Sequence, residues 1–463
     1  MYNLDFDKPI HIHFIGIGGI SMSGLAEILL DKGFTVSGSD SSESELTDRL
    51  SDIGANIHYG QRAENITGDI DVVVYTAAIR PENPEFAAAV SAGLPMLTRA
   101  ELLGQLMRSY ATSVAVSGTH GKTTTTSMLS HIFLAADTDP TISVGGILPA
   151  IGGNIRVGGH KLFITEACEY TNSFLSFCPT MSLILNVDAD HLDFFGTIEN
   201  VRKSFRAFAE LLPEGGTLII CSDIPDYTYF TEGLACKVIT FSMDGMADYT
   251  ADDIFYDEYA HPRFTLLYKG ENIGRYHLAV PGRHNISNAI ASIAAARALG
   301  ISDAAIHAGL AGFSGTERRF QTKGHVHGFE IVDDYAHHPT EINATLAAAA
   351  KYPHKKMWVI FQPHTYTRTK SLMPQFAKEL TAADEVILAD IYAAREKDDL
   401  GISSKDVADR VAMLGTPSHY FKTFREIEDF IIENAAEGDL VLTVGAGNVY
   451  EIGEHLLDRY GED

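Results

Sequence analysis

The sequence predicts an α/β protein built as three consecutive α/β domains, over residues 1–110, 111–320 and 321–463. Three observations predict it. Short apolar runs alternate with helical stretches, the pattern of βαβ units with parallel sheets. The alternation restarts at Ser113 and again at Phe329, each time with a fresh buried-looking strand. The length of 463 residues also suits roughly three domains at about 150 residues each.

In the first stretch, Ile12–Ile17, Phe34–Ser39 and Asp71–Ala77 read as strands, with Ser21–Asp31 as a helix. A helical pattern over Thr98–Tyr110 leads into the strand Ser113–Ser117. The middle stretch carries strands at Leu162–Thr165, Met181–Val187 and Gly216–Cys221. Phe264–Tyr268 and Arg275–Val280, joined through Lys269-Gly270-Glu271-Asn272, read as a hairpin. The Ala-rich helix Ile286–Leu299 ends at Gly300, a C-cap signal, and Ser302 is placed to cap the next helix. The last stretch repeats the pattern through Phe329–Val332, Lys356–Phe361, Glu385–Ala389 and Leu440–Val444.

Lys plus Arg number 35 against 61 Asp plus Glu, a formal charge of −26. That balance argues against a nucleic-acid partner, whose phosphates need clustered cations. An apolar fraction of 45% with 21% charged residues is ordinary for a folded soluble protein. No run approaches the ~18 apolar residues of a membrane span, so no membrane insertion is expected. The acidic N-terminus is unlike a signal peptide, and the expected compartment is the cytoplasm. The four cysteines lack Cys-x-x-Cys spacing and suggest neither a zinc site nor a disulfide framework. Nothing in the sequence points to an obligate protein partner.

Gly16-Ile17-Gly18-Gly19-Ile20-Ser21 follows a strand and opens a helix. Glycines there let backbone N–H groups approach a pyrophosphate at the positive helix end, and Gly16, Gly18 and Gly19 are candidate substrate contacts. Ser21 replaces the third glycine of the dinucleotide fingerprint, where its hydroxymethyl would crowd the pyrophosphate or donate to it. Asp40 ends the next strand, about where an acid would hold a ribose. The plainer reading is a tight turn with no ligand.

The second loop is stronger. Ser117-Gly118-Thr119-His120-Gly121-Lys122-Thr123-Thr124 lies between a buried-looking strand and a helix, which points to ATP. Backbone amides of such a loop cradle phosphate, Lys122 neutralises the β/γ oxygens and the Thr123 hydroxyl ligates magnesium. Val116 stands where the strict consensus has glycine, so the loop is tighter than a generic one.

Gly118-Thr119-His120-Gly121-Lys122-Thr123-Thr124 resembles the loop of the Mur ligases, ATP-dependent amide-bond formers of peptidoglycan synthesis. Glu166-Ala167-Cys168-Glu169-Tyr170 and Asn186-Val187-Asp188-Ala189-Asp190-His191-Leu192-Asp193 look like that family's two metal-site segments. Gly282-Arg283-His284-Asn285-Ile286-Ser287-Asn288 resembles its adenine-side motif. Asp333-Asp334-Tyr335-Ala336-His337-His338-Pro339 and Gln362-Pro363-His364-Thr365-Tyr366-Thr367-Arg368 are similar to its C-terminal motifs. The resemblance covers essentially the whole chain. It implies Rossmann-like domains at both ends and a P-loop ATPase-like domain between them. It also implies UDP-N-acetylmuramate and L-alanine as substrates, joined through an acyl phosphate.

Such chemistry brings a carboxylate and a triphosphate together, so cations must offset their repulsion. The resemblance implies that Thr123 and Glu169 hold magnesium and that His191 serves a second ion, for which manganese is also suited. From the residues alone, Glu169 reads equally as a solvated loop carboxylate, and His191 as a capping or packed histidine. His284, Asn285 and Asn288 are expected beside adenine, although asparagines there also cap helices. Arg319, paired with Arg318, suits phosphate or carboxylate recognition, an interdomain ion pair being the plain alternative. Asp334 is placed near the ATP ribose. His337, His364 and Arg368 are expected to contact substrate, and His337 with His338 is a poor metal pair because adjacent residues diverge on a loop. Lys203 is left as a surface helix lysine. Two other readings compete: a related ligase adding a recycled peptide, and an NAD-dependent dehydrogenase that would leave Gly121-Lys122-Thr123 unexplained.

Overall fold

The computed structural model describes residues 2–76, 79–394 and 396–461. The chain divides into two compact units, 1–247 with 291–309 and 248–290 with 310–463.

The first unit opens on five parallel strands in the order Asn56–Tyr59, Thr35–Asp40, His11–Ile15, Val72–Tyr75 and Met96–Thr98. Ile12, Phe14, Val72 and Val74 on one face and His13, Ile15 and Val73 on the other are fully buried, as a sheet covered on both faces requires. The strand expected at Asp71–Ala77 is Val72–Tyr75, and Ala77 lies outside the described residues. Helix Arg99–Met107 starts on a capping box, Thr98 Oγ1 accepting from the Glu101 N–H while Glu101 accepts from the Thr98 N–H. A second sheet of the same unit runs Lys237–Ser242, Thr217–Cys221, Met181–Ile184, Thr112–Ser117, Leu162–Ala167, Thr141–Leu148, Gly153–Arg156. Only its last pair is antiparallel. The strand expected to reach Val187 stops at Ile184, because the chain beyond leaves the sheet to hold the phosphate loop.

In the second unit the hairpin is present with a tighter turn than expected. Tyr268 pairs with Glu271, so the second strand is Glu271–His277 and the link is Lys269–Gly270 alone. Both turn residues have positive φ, +52° and +83°, which matches strand twist and lets pairing begin at once. Helix Arg283–Ala298 begins three residues before the expected Ile286. A six-stranded sheet follows in the order Gln321–Val326, Phe329–Asp334, Leu440–Val444, Met357–Phe361, Glu385–Leu388, Ser418–Tyr420. Val332, Val359, Phe361 and Leu442 pack one face, while Ile331, Trp358, Ile360 and Val441 pack the other. Both faces are therefore dry, which is why these strands read as unbroken apolar runs.

Candidate active site

The phosphate loop of the first unit sits where strand Thr112–Ser117 meets helix Lys122–Ala135. Gly118 has φ +150° and Gly121, in the helix N-cap position, has φ +82°. A Cβ on Gly118 would lie 2.9 Å from Leu185 Cβ, so the position needs glycine for space as well as conformation. The segment after strand Met181–Ile184 clasps the loop. Asn186 Oδ1 accepts from the His120 N–H at 2.8 Å, and its Nδ2 donates to the His120 carbonyl at 3.0 Å. The Asp188 N–H donates to Thr119 Oγ1 at 2.9 Å, and the Asp188 carboxylate lies 3.3 Å from His120 Nε2.

Lys122 Nζ donates to the Gly118 carbonyl at 2.5 Å, the Thr119 carbonyl at 3.0 Å and Glu169 Oε2 at 2.9 Å. Burial alone would lower its pKa, but the facing Glu169 and the nearby Glu166 outweigh that and raise it, so Lys122 is a fixed cation. Glu169 is 1% exposed, and its Oε1 is buried without a hydrogen-bond partner. His191 takes a left-handed φ of +51°, packs its ring 4.6 Å from that of Tyr170, and brings Nε2 to 3.9 Å from Glu169 Oε1. Thr123 Oγ1 donates to Glu166 Oε2 at 3.1 Å, and Glu166 Oε1 accepts from the Gly145 N–H at 2.5 Å.

Thr123 and Glu169, expected as joint ligands, thus have different partners in the protein alone. Glu166 is the carboxylate on the hydroxyl, and Glu169 is the counter-ion of Lys122. Hydroxyl and carboxylate oxygens fit magnesium, and the orphaned Glu169 Oε1 beside His191 Nε2 is a polar atom awaiting a cation. Among the described residues, no three His, Cys, Asp or Glu side chains form a cluster ready to hold a metal. Lys203 is exposed on helix Ile198–Ala209, as its plain reading has it.

The first glycine loop is turned by Gly16, φ +86°, with the Gly16 and Ile17 N–H groups on the Ser39 carbonyl. Asp40 stands where expected, but its Oδ2 accepts from the Gly18 N–H at 2.8 Å. Gly18 is needed there, since a Cβ would sit 2.9 Å from that oxygen. Gly19 takes the N-cap position of helix Ile20–Asp31, with no side-chain cap. Ser21 accepts from Arg99 Nη1 at 2.9 Å.

The second unit gathers a further cluster at the carboxyl edge of its parallel strands, the usual ligand edge of an open α/β sheet. Asp334, 6% exposed, accepts from the Ala336 and Phe320 N–H groups. Burial pushes its pKa up to about 6 against Arg319 and those two amides. Arg319 lies over the Tyr335 ring, 5.1 Å from its centroid. Arg318, expected to share in anion recognition, is instead turned inward. It binds Asp333 and the carbonyls of Gly445 and Gly447 and lies over Tyr450, so each of its three nitrogens has a partner. His337 Nδ1 lies 3.0 Å from the Tyr335 carbonyl and its ring 6.0 Å from that of His364. His364 stacks on Tyr392 and meets Arg368 Nη1 at 3.3 Å. His338 caps helix Pro339–Ala349, so the adjacent histidines have separate duties. Asn285 and Asn288 are buried, Asn285 donating to the Pro281 carbonyl and accepting from Asn288, while His284 keeps an exposed ring.

Sequence reasoning passed over Asn186 and Asp188 as functional positions and left Glu166 out of the site. The available signal was that Asn186 and Asp188 lie two and four residues past a strand end, and that Glu166 and Asp188 each lie three residues before another polar site residue. Their partners left no such signal.

A strand–loop–helix phosphate cradle with an ion-paired lysine, threonine and two carboxylates defines an ATP-dependent α/β enzyme. Models of the Mur ligase family match in three consecutive pieces: the family's catalytic domain over residues 11–111, the middle domain over 116–296, and the glutamate ligase domain over 318–447. The chain is 58% identical over 458 residues to UDP-N-acetylmuramate–L-alanine ligase of Lachnospira eligens, covering 99% of this chain and 100% of that one. It is 50% identical to the ligase of that name from Acetivibrio thermocellus, over 98% of this chain and 97% of that one. Among solved structures, UDP-N-acetylmuramate–alanine ligase of Thermotoga maritima superposes with TM-score 0.80 at 30% identity, covering 97% and 99% of the two chains. A murein peptide ligase from Psychrobacter arcticus gives 0.70 at 26%, covering 97% and 98%. The chain belongs to the Mur ligase family. Its fold is the three-part α/β arrangement of that family.

Proposed function

We propose that this chain joins L-alanine to the carboxylate of UDP-N-acetylmuramate, with ATP activating the carboxylate as an acyl phosphate, in peptidoglycan precursor synthesis. The observation that carries the chemistry is Lys122, a partly buried cation held on loop carbonyls and on Glu169 at the phosphate cradle. A triphosphate entering the loop offers Lys122 stronger acceptors than two carbonyls, so its ammonium moves to the β/γ oxygens. The γ-phosphoryl then passes to the substrate carboxylate, and the alanine amine attacks the acyl carbon and expels phosphate. Thr123, Glu166, Glu169 and His191 would hold magnesium or manganese, which would neutralise phosphoryl charge as it transfers.

The remaining assignments follow the same reading. Residues 1–110 take the nucleotide sugar through Gly16, Gly18, Gly19 and Asp40. Residues 111–320 take ATP through the loop from Gly118 to Thr124, with His284 toward the adenine and Asn285 and Asn288 holding the start of its helix. In residues 321–463 we assign Asp334 to ATP and His337, His364 and Arg368 to substrate, and before them Arg319 to the charge that develops in the reaction. In this reading the reaction runs in the cytoplasm, where ATP is at hand. No helix among the described residues is long and apolar enough to cross a membrane.

The test is phosphate release from ATP and magnesium with UDP-N-acetylmuramate, with and without L-alanine, alongside product mass. Release needing both, with the mass of the alanyl adduct, is the expected result. Release with a short peptide but not with alanine would replace this reading by the peptide-adding one, and NAD reduction without phosphate release by the dehydrogenase.

A further inference from the structure

Ser21 is the residue that departs from the glycine pattern of the first loop, and the structure gives it a partner: Arg99 Nη1, at 2.9 Å. Arg99 is the first residue of helix Arg99–Met107, fixed there by the Thr98–Glu101 capping box. It is half-buried, which is costly for a guanidinium, yet among the described residues it makes no ion pair, and Ser21 Oγ is its one hydrogen-bond partner. In a chain of net charge −26 a partly desolvated arginine without a carboxylate keeps its charge available for an anionic ligand. By contrast Arg49 pairs with Glu27, Arg156 with Asp139 and Arg318 with Asp333.

Its position narrows what it could meet. Through Ser21 it touches the first turn of the helix that follows the glycine loop. Burial works against its charge, and among the described residues no carboxylate compensates for that. Arg99 therefore stands beside the first turn of the helix that the first glycine loop opens, with most of its planar fork of five donors unspent. A fork of that kind matches a carboxylate or phosphate group.

We propose that Arg99, oriented by Ser21, is an oxyanion-binding residue for the nucleotide-sugar substrate. This rests on the proposed function, and it assigns the hydroxyl at residue 21 a role: it aims the guanidinium while leaving the other donors free. The oxyanion comes from one of two groups on that substrate, the pyrophosphate or the acceptor carboxylate, and both offer the same paired oxygens.

The experiment measures binding of three probes by calorimetry: UDP-N-acetylmuramate, UDP-N-acetylglucosamine and ATP. The second probe keeps the pyrophosphate and lacks the carboxylate. Arg99→Gln is expected to weaken UDP-N-acetylmuramate by roughly 10- to 100-fold, the loss of one or two charge-assisted hydrogen bonds, with ATP binding unchanged. Arg99→Lys, which keeps the charge without the fork, is expected in between, and Ser21→Gly to show a smaller loss. Equal weakening of UDP-N-acetylglucosamine identifies the pyrophosphate, and no weakening of it identifies the carboxylate. Unchanged binding of UDP-N-acetylmuramate by Arg99→Gln overturns the proposal, as does an equal loss of ATP binding, which would make Arg99 structural. Should the unmutated protein bind ATP but neither nucleotide sugar, the proposed function itself has failed and this inference falls with it.

Discussion

Lys122 Nζ stands 2.9 Å from Glu169 Oε2 while donating to two carbonyls of the loop it belongs to. The cation meant for phosphate is thus held, before phosphate arrives, by the backbone that will cradle it and by a carboxylate of the adjoining strand end. Glu169 is buried and Lys122 largely so, and the pair organises the site at the risk of instability when either partner is lost.

Glu169→Ala leaves Lys122 buried without its counter-ion. We expect the fold to lose about 3 kcal/mol and phosphate release to drop by roughly 10²–10³-fold. Lys122→Ala should cost stability similarly, by stranding Glu169. In the double variant the loss should be smaller than the sum of the two, because no unpaired charge remains. Chemical denaturation of the four proteins checks this, and additive losses would show that the pair is not coupled.

The Thr123–Glu166 contact predicts how the metal is used. Chelation by EDTA should abolish phosphate release, and added magnesium should restore it. Thr123→Val removes the hydroxyl but keeps the shape, and it should raise the magnesium concentration for half-maximal rate about tenfold. Glu166→Gln should act in the same direction, whereas a variant of exposed Lys203 should not. Titrations of rate against magnesium would settle it, and an unshifted requirement in Thr123→Val would remove Thr123 from the metal site.

Gly118→Ala tests the cradle by shape alone. At φ +150° a side chain is strained, and its Cβ would meet Leu185 Cβ at 2.9 Å and the Asn186 amide nitrogen at 3.3 Å. Asn186 is also the residue clasping His120, so the disturbance reaches the loop's far side. ATP affinity should fall by more than tenfold at a stability cost of about 1–3 kcal/mol. Fluorescent-nucleotide binding beside a melting curve separates the two effects.

Much of this architecture was legible because periodicity and loops speak locally. Strand Thr112–Ser117, the phosphate loop and helix Lys122–Ala135 form one continuous signal, and the buried runs Met357–Phe361 and Leu440–Val444 announce a sheet covered on both faces. The hairpin turn was misjudged because Glu271, Asn272 and Arg275 are polar, and a solvent-facing strand resembles a loop in composition. What sequence could not resolve was the choice among polar neighbours. Glu166 and Glu169 lie three residues apart, and only the backbone beyond strand Leu162–Ala167 decides which meets Thr123 and which meets Lys122. Arg318 and Arg319 are adjacent, yet a left-handed φ of +60° at Arg318 turns it inward to Asp333. Such partners are tens of residues away in the chain, and local patterning carries no record of them.

Asp334 gives a test by pH. Burial, opposed by Arg319 and the amides of Ala336 and Phe320, moves its carboxyl from 3.8 up to about 6. The native state therefore holds this proton more tightly than the unfolded chain does. Between about pH 4 and pH 6 the folded protein binds the extra proton, so this group's contribution to stability falls as pH rises. It is fully present below pH 4 and lost above pH 6, a change of up to ~3 kcal/mol. Asp334→Ala removes the titration and also the two amide contacts. The variant should melt below the unmutated protein at pH 4, and the gap should narrow toward pH 7 as the buried charge penalises the unmutated chain alone. Melting temperatures of both proteins across that range are the measurement. A gap that stays constant, or widens toward neutrality, would show that the two amides and Arg319 hold Asp334 ionised throughout.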